Sequence, residues 1–207
     1  MKSPPWAAAI AAWTRGSRER LGNLLREHGF NMKYLRAVFG EGLAADLAGT
    51  GVKLVDTRKT TPLLRQFEKM AVRIGGGENH RFGLFDMIMI KDNHIAYAGG
   101  VEQAITSVRS YLDENNLRLK IEIEAGSLEQ VQQIIALGGV DRIMLDNFTP
   151  EGAKQAVELI AGRYETEVSG GIVLDNVRAY AESGCDYISV GALTHSVKSL
   201  DLSLKAV

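Results

Sequence analysis

The sequence predicts an α/β protein built as a (β/α) barrel, incomplete or open, with about six β/α units. From residue 52 onward, short β-branched runs alternate with longer amphipathic runs. The last four strand runs recur at intervals of roughly 22 residues, which is the length of one strand plus one helix. Each strand run is followed by a polar or glycine-rich ending. A barrel collects its functional groups at the carboxyl ends of successive strands, so these endings also mark the expected site.

The elements follow in a regular order. Strands are expected at residues 52–55, 87–90, 120–124, 142–145, 165–168 and 187–190. Helices are expected at residues 62–74, 101–115, 128–137, 150–161 and 174–183. Thr61, Ser127 and Thr149 stand before three of these helices as candidate caps. The alternative, an open doubly wound sheet, is disfavoured because no G-x-G-x-x-G follows the first strand.

Composition limits the classes of function. With 207 residues and 45% hydrophobic content, the chain can bury one sizeable core. The net charge of −1 argues against a general nucleic-acid or membrane-surface binder, so neither partner is expected. The single cysteine, Cys185, excludes an internal disulfide and fits a reducing cytoplasm, where we expect the protein to reside. No apolar run approaches the roughly 20 residues that a membrane span needs.

Positive charge is concentrated in three motifs, DTRKTTP at residues 56–62, NHRFG at 79–83 and IKDNH at 90–94. Cations gathered at one place would repel one another unless a polyanion lay between them, so they predict a ligand with several carboxylates or phosphates. A solvated basic face is the alternative, but interleaved glycines and an aromatic residue favour a site. The glycine run at 75–77 is expected to free residues 78–81 to fold over it. The cationic groups are Arg58, Lys59, His80, Arg81 and Lys91.

Two acidic residues close apolar strands. Glu124 and Asp146 are placed to hold ribose hydroxyls or Mg²⁺. The alternative, that they pair with Lys59 or Lys91 to neutralise the pocket, is compatible with this role. Glu122 lies two residues before Glu124 and therefore on the same face, one layer deeper. We expect it to pair with a basic residue below the site.

Glycines at the last two strand ends predict a phosphate-binding cup. Backbone N–H groups can approach an anion closely there, and barrels often bind phosphate at this position. The cup is expected to comprise Ser169, Gly170, Gly171, Gly191 and Ala192. His94 and His195 receive no catalytic role. No two histidines have the i, i+4 spacing of a helical zinc pair, so a tight transition-metal site is not expected.

Seven motifs together resemble the quinolinate phosphoribosyltransferase family, also called nicotinate-nucleotide pyrophosphorylase (carboxylating). They are DTRKTTP, GGGENHRFGL, IKDNHI, IEIEA, LDNF, SGGI and VGALTHS, in this order, and the resemblance runs from about Ala48 to the C-terminus. It implies transfer of a phosphoribosyl group from phosphoribosyl pyrophosphate to quinolinate with Mg²⁺. Pyrophosphate and carbon dioxide leave, and nicotinate mononucleotide forms for NAD biosynthesis.

The resemblance also implies a role for each site residue. Arg58, His80 and Arg81 would hold the quinolinate carboxylates, while Lys59 and Lys91 would meet the pyrophosphate and the negative charge that develops on it. Glu124 and Asp146 would hold the ribose hydroxyls and the metal. Positioning of the substrates and electrostatic stabilisation of the transition state would then account for most of the reduction in the activation barrier.

The N-terminal region departs from the family pattern. Members carry a lid domain of roughly 100 residues over the barrel mouth of the partner subunit, whereas residues 1–47 are expected to form a short helical segment before a barrel domain at 48–207. Arg20 is a possible counterpart of the arginine that enters the partner's site; the alternative is a charged helix face over residues 17–27. A homodimer is expected, with aromatic anchors at Trp6, Trp13, Phe30, Tyr34 and Phe39.

Two other function classes stay open. A relative with another acceptor, like the barrel proteins found beside molybdenum transport systems, would keep the phosphoribosyl half and alter the acceptor half. The presence of Arg58, Arg81 and the intact 91–94 motif weighs against it. A truncated or remodelled barrel could also bind a ligand or partner with little turnover.

Overall fold

The computed structural model describes residues 47–195. The expectations for residues 1–46, including Arg20 and the aromatic anchors, lie outside this range. The described chain has six strands: β1 (Lys53–Val55), β2 (Ile88–Ile90), β3 (Ile121–Ala125), β4 (Arg142–Asp146), β5 (Glu165–Ser169) and β6 (Tyr187–Ser189). Its helices are α1 (Arg65–Ile74), α2 (Asp92–Ala98), α3 (Val101–Glu114), α4 (Leu128–Leu137), α5 (Pro150–Ile160), α6 (Leu174–Ala181) and α7 (Ala192–His195).

All six strands form one parallel sheet in the order β1-β6-β5-β4-β3-β2. The first strand pairs with the last, with Lys53 opposite Tyr187 and Val55 opposite Ser189. This is the order of a barrel, since a doubly wound sheet would place its first strand between later ones. Among the described residues, β1 and β2 do not pair, so the barrel is open between them. The predicted fold class is therefore confirmed.

The sheet is strongly curled. Glu78 forms a parallel bridge with Val55 at the edge of β1, and two residues later His80 Nε2 lies 2.9 Å from Glu122 on β3. In the sheet order, β1 and β3 are four positions apart, which would be about 19 Å in a flat sheet. Only a curled sheet brings these strands close enough for one side chain to bridge them.

The two faces of the sheet differ in chemistry. Alternate residues of the central strands turn outward and are fully buried against the helices, where Ile123, Ile143 and Val168 meet apolar residues of α4, α5 and α6. The other residues turn inward, and the register sets Glu124 beside Met144 and Met144 beside Glu167. The inner face therefore carries charged side chains at several levels below the strand ends.

Most element bounds agree with the sequence predictions. The caps Ser127 and Thr149 are confirmed, since their hydroxyls accept the N–H groups of Gln130 and Gly152 at 3.3 and 3.1 Å. The predicted cap Thr61 is wrong. Residues 62–64 form a turn, with Leu63 at φ 66°, and helix α1 begins only at Arg65.

Helices α2 and α7 were not predicted. In α2 only Ile95 is buried, so the sequence shows no amphipathic period there. None of the helices in residues 47–195 has the length and apolar character needed to cross a bilayer.

Candidate active site

The carboxyl ends of the strands surround a cavity of about 910 Å³. Ligand pockets for small molecules are commonly of this size. Every candidate site residue in the described range lines it, and only Arg20 lies outside the described residues. The lining includes Arg58, Lys59, His80, Arg81, Lys91, Glu124, Asp146, Ser169, Gly170, Gly171, Gly191 and Ala192.

The loop after β1 carries Arg58 and Lys59, and two side chains that the sequence analysis missed hold it in place. The Arg65 guanidinium donates to Arg58 O, Thr60 Oγ1 and Phe82 O, each at 3.2 Å. It thereby joins the loop after β1 to the segment that follows Arg81. From the other side, the Thr194 hydroxyl donates to Lys59 O at 2.7 Å.

Arg58 and Arg81 form the most positive wall of the pocket. Burial lowers the pKa of Arg81, and the nearby charge of Arg58 lowers it further. Arg81 Nη1 donates to Met87 O at 3.0 Å, and Arg58 Nε is buried without a hydrogen-bond partner. Within residues 47–195, no carboxylate forms an ion pair with either guanidinium. The wall is therefore suited to an anion that comes from outside the protein.

The glycine run does not act as predicted. Residues 75–77 end α1 in a tight turn, and Glu78 then donates to Leu54 O at 2.7 Å and bridges to β1. A side chain at Gly77 would meet Val72 Cγ1 at 2.8 Å, so glycine is required for this close approach. The segment 78–81 is thus fastened to the sheet edge. The expectation that it folds over the site is wrong.

Below the cavity lies a buried cluster of charges, called here the floor, consisting of His80, Glu122, Glu167, Arg142 and Glu165. His80 Nε2 lies 2.9 Å from Glu122 Oε2 and 3.3 Å from Glu167 Oε2. Arg142 contacts Glu167 at 2.9 Å and Glu165 at 3.0 Å, and it stacks on the Tyr187 ring. The interpretation that Glu122 pairs with basic groups below the site is confirmed.

Protonation of the floor is divided between His80 and Glu122. Burial lowers the pKa of His80, whereas its contacts with Glu122 and Glu167 raise it. A doubly protonated ring, however, could not accept the Arg81 N–H at Nδ1, which it does at 2.8 Å. We favour the neutral ring, because this main-chain contact requires a bare Nδ1. The extra proton then belongs to Glu122, whose pKa is raised to about 7 by burial and by Glu167.

Three floor residues are also of the types that bind metal ions. The donor atoms of His80, Glu122 and Glu167 lie within 4.8 Å of one another. Arg142 already supplies positive charge at this position, so we assign no metal there. Sequence reasoning missed Glu167. It lies two residues before Ser169, and the same two-residue spacing before Glu124 had indicated that Glu122 faces the inside of the barrel. The predicted contact of His80 with a substrate stays a prediction, since both ring nitrogens face protein partners in the structure.

At the strand ends above the floor, called here the rim, the charges are more accessible. Lys91 contacts Glu124, and its side chain is 41% exposed. Burial raises the pKa of Asp146, and the neighbouring Glu124 raises it further. Two carboxylates that disfavour each other's charge, both lining one cavity, are what a divalent cation would stabilise. Asn147, which the sequence analysis missed, donates to Asp146 Oδ2 at 2.8 Å.

The glycines of the predicted phosphate cup lie at the ends of β5 and β6. Gly170 and Gly171 have φ values of 100° and 61°, and a side chain at Gly170 would strike Asn147. Gly191 lies close to the His195 ring. Both turns thus bring bare backbone to the cavity wall. Whether the cup binds phosphate stays a prediction.

The fold and the site together indicate the class of protein to which this chain belongs. An open barrel of parallel strands, with cationic, acidic and glycine-rich segments around one cavity at the carboxyl ends, is the arrangement typical of barrel enzymes that act on anionic small molecules. A family model described as "Quinolinate phosphoribosyl transferase, C-terminal domain" matches residues 39–205. The chain belongs to this family.

Known proteins agree with this placement. The chain is 49% identical over 166 residues to quinolinate phosphoribosyltransferase [decarboxylating] 2, mitochondrial, of Nicotiana glauca, covering 73% of this chain and 47% of the relative. It is also 49% identical over 153 residues to a probable nicotinate-nucleotide pyrophosphorylase [carboxylating] of Bacillus subtilis, covering 74% and 52%. The crystal structure of NadC from Streptococcus pyogenes superposes with a TM-score of 0.76 at 47% identity, covering 83% of this chain and 59% of that one. The chain spans about half the length of the curated relatives it matches.

Proposed function

We propose that this protein transfers a phosphoribosyl group from phosphoribosyl pyrophosphate to quinolinate. The products are nicotinate mononucleotide, pyrophosphate and carbon dioxide, in NAD biosynthesis. The observation that carries the proposal is the pair of guanidinium groups, Arg58 and Arg81, on one wall of the cavity without an ion-pair partner among the described residues. A ligand with two adjacent carboxylates fits such a wall, and the names of the relatives supply quinolinate as that ligand.

Arg58 and Arg81 would orient the quinolinate ring by its carboxylates. His80 would assist them, because its Nδ1 accepts the main-chain N–H of Arg81 and so fixes the residue that carries the charge. Burial of the Arg81 side chain strengthens this role, since a charged hydrogen bond in a desolvated site is stronger than one in water.

Lys59 and Lys91 would bind the pyrophosphate in the same cavity. As the bond between the sugar and pyrophosphate breaks, negative charge grows on the leaving group, and a lysine placed there stabilises the transition state more than the ground state. The glycine turns at 170–171 and 191 would hold the 5′-phosphate through main-chain N–H groups. Glu124 and Asp146 would stabilise the positive charge that develops on the ribose.

Mg²⁺ is proposed as the cofactor, held by Glu124 and Asp146. The raised pKa of Asp146 supports this, because Glu124 contributes to the shift and a cation between the two carboxylates would remove their repulsion. The metal would supply charge neutralisation for the pyrophosphate. The residues of the chain would supply position and the remaining charge.

A homodimer in the cytoplasm is the proposed assembly and location. Large apolar side chains near the pocket support a subunit contact, since Leu84 and Phe85 are 67% and 72% exposed in the described chain. Arg20 is proposed to enter the partner's site. Mixing an Arg20→Ala chain with an Arg81→Ala chain should then restore activity, because one hybrid site keeps both arginines. Hybrids no more active than their parents would reject the shared site.

The proposed reaction is tested by measuring pyrophosphate release with quinolinate, phosphoribosyl pyrophosphate and Mg²⁺. Release that needs all three, with equal amounts of carbon dioxide and nicotinate mononucleotide, is the expected result. Nicotinate and other pyridine carboxylates serve as control acceptors, and turnover with one of them alone would point to a relative with another acceptor. Tight binding of quinolinate by calorimetry without any turnover would instead favour a remodelled barrel that only binds.

A further inference from the structure

A second buried charge pair lies behind the pocket wall and contacts the floor only through the main chain of His80. Lys69 of α1 is 1% exposed, and its Nζ lies 2.5 Å from Oδ1 of Asp56, which is fully buried at the end of β1. Burial raises the pKa of Asp56 and lowers that of Lys69, while the hydrogen bond between them opposes both shifts. Such a pair is costly to desolvate, and apolar residues of similar volume would often stabilise a protein as well. Its contacts indicate what it does instead.

The pair holds both main-chain polar groups of His80. Asp56 Oδ1 accepts the His80 N–H at 2.9 Å, and Lys69 Nζ donates to His80 O at 3.1 Å. Asn79 adds two hydrogen bonds to this arrangement, because its Nδ2 donates to Asp56 Oδ2 at 2.6 Å and to Lys69 O at 2.8 Å. Two apolar side chains could fill the same space, but they could not bond the N–H and C=O of one residue.

These hydrogen bonds to the His80 backbone also position the next residue, Arg81. The His80 ring is held from below by Glu122 and accepts the Arg81 N–H at Nδ1, while its backbone is held from behind by Asp56 and Lys69. Arg81 therefore follows a residue whose ring and backbone are both held in place. Its guanidinium lies near enough to Arg58 for the positive charge of Arg58 to lower its pKa.

We infer that Asp56 and Lys69 are positioning residues, which hold the 79–81 segment so that Arg81 faces the carboxylate-binding wall. The inference rests on the proposed function only in naming quinolinate as the anion. The positioning itself is a property of the free protein.

The test uses the double variant Asp56→Leu/Lys69→Met, which removes both charges, the acceptor for the His80 N–H and the donor to His80 O, with little change in volume. The single variant Lys69→Met would leave a buried carboxylate unpaired and could fail to fold for that reason alone. Arg73→Ala, an exposed change on the same helix, is the matched control. The readouts are calorimetric binding of quinolinate and of phosphoribosyl pyrophosphate, and hydrogen exchange of main-chain amides without ligand.

In the double variant we expect quinolinate to bind about tenfold to a hundredfold more weakly, because a displaced Arg81 loses its charge-assisted hydrogen bond to the carboxylate. Phosphoribosyl pyrophosphate should bind within about threefold of wild type, since Lys59 and Lys91, which are proposed to bind it, lie outside the displaced 79–81 segment. The amides of residues 80 and 81 should exchange faster, with β3 and β4 still protected. The control should behave as wild type.

Equal weakening of both ligands, together with loss of protection in β3 and β4, would show a merely structural pair and overturn the inference. Unchanged quinolinate affinity with unchanged exchange at residues 80 and 81 would also overturn it. If wild type fails to bind quinolinate at all, the proposed function fails, and the exchange at residues 80 and 81 alone then decides for or against positioning.

Discussion

The floor and the rim of the pocket contain the same kinds of charged residues but use them differently. In the floor, Glu122 and Glu167 are fully buried, and Arg142 balances the charge of Glu167 inside the protein. At the rim, Lys91 is 41% exposed, and Arg58 and Arg81 have no ion-pair partner within residues 47–195. Charges that pair with one another inside the protein have no need of a ligand, whereas cations without an ion-pair partner at a cavity are available to one. Depth along the strand thus separates a structural role from a functional one.

The largest effect should come from removing the central cation of the floor. Arg142→Met leaves the Glu167 carboxylate buried without its charged partner and should lower the free energy of unfolding by about 3–5 kcal/mol. Urea denaturation followed by circular dichroism measures it. Glu182→Ala is the control, because it breaks an exposed i, i+4 pair with Arg178 worth less than about 1 kcal/mol. If both variants lost the same free energy of unfolding, buried and exposed charge pairs would not differ in their effect on stability, and the prediction would be wrong.

The rim should show the opposite behaviour. Lys91→Ala should lower turnover by about a hundredfold to a thousandfold, since its partner charge grows only as pyrophosphate leaves, while quinolinate affinity changes little. Stability should stay within about 1 kcal/mol of wild type, because the Lys91–Glu124 pair is partly exposed. Steady-state kinetics and calorimetry separate the two quantities. Normal turnover with poor quinolinate binding would reverse the assignment of Lys91.

Arg81 tests the carboxylate wall. Arg81→Ala should weaken quinolinate binding by about 2–4 kcal/mol, because a desolvated carboxylate loses its charged partner. Arg109→Ala, on helix α3 away from the cavity, serves as the control. Calorimetry with both variants measures the difference, and an unchanged affinity for quinolinate would remove Arg81 from the site.

The smallest effect concerns the floor proton. The pKa of Glu122 is raised from its ordinary value to about 7, so the folded state keeps a proton that the unfolded chain has already lost. The stabilisation is complete below the unfolded pKa and is lost as the pH rises through about 7. Between about pH 5 and about pH 8, wild type should therefore lose about 1–3 kcal/mol of unfolding free energy relative to Glu122→Gln. A constant difference between the two proteins across this range would place the proton elsewhere.

Local patterns predicted the fold well. Helix α4 has the predicted bounds, because Ser127 caps its start and Gly138 ends it. The start of α1 was predicted too early, because Arg65 and Glu68 bond residues 58–61 and hold the chain in a turn where propensity favoured a helix.

The site was predicted where its residues stand in motifs at strand ends. Its supports were missed because their partners are distant in sequence. Lys69 meets Asp56 and Arg142 meets Glu167 only after the sheet has curled. Periodicity indicates which face a residue occupies, but it cannot say which residue lies opposite across a barrel.

The pairing of β1 with β6 also bears on how the chain folds during synthesis. Strands β2 to β5 each pair with the next strand along the chain, so these pairs can form as the strands leave the ribosome. Strand β1 can pair with β6 only after Ser189 has been synthesised. During that interval β1 presents an unpaired edge, which could join another nascent chain. The bridge from Val55 to Glu78 is local and can form early. It covers one side of β1 with a charged residue while the other side waits for the last strand.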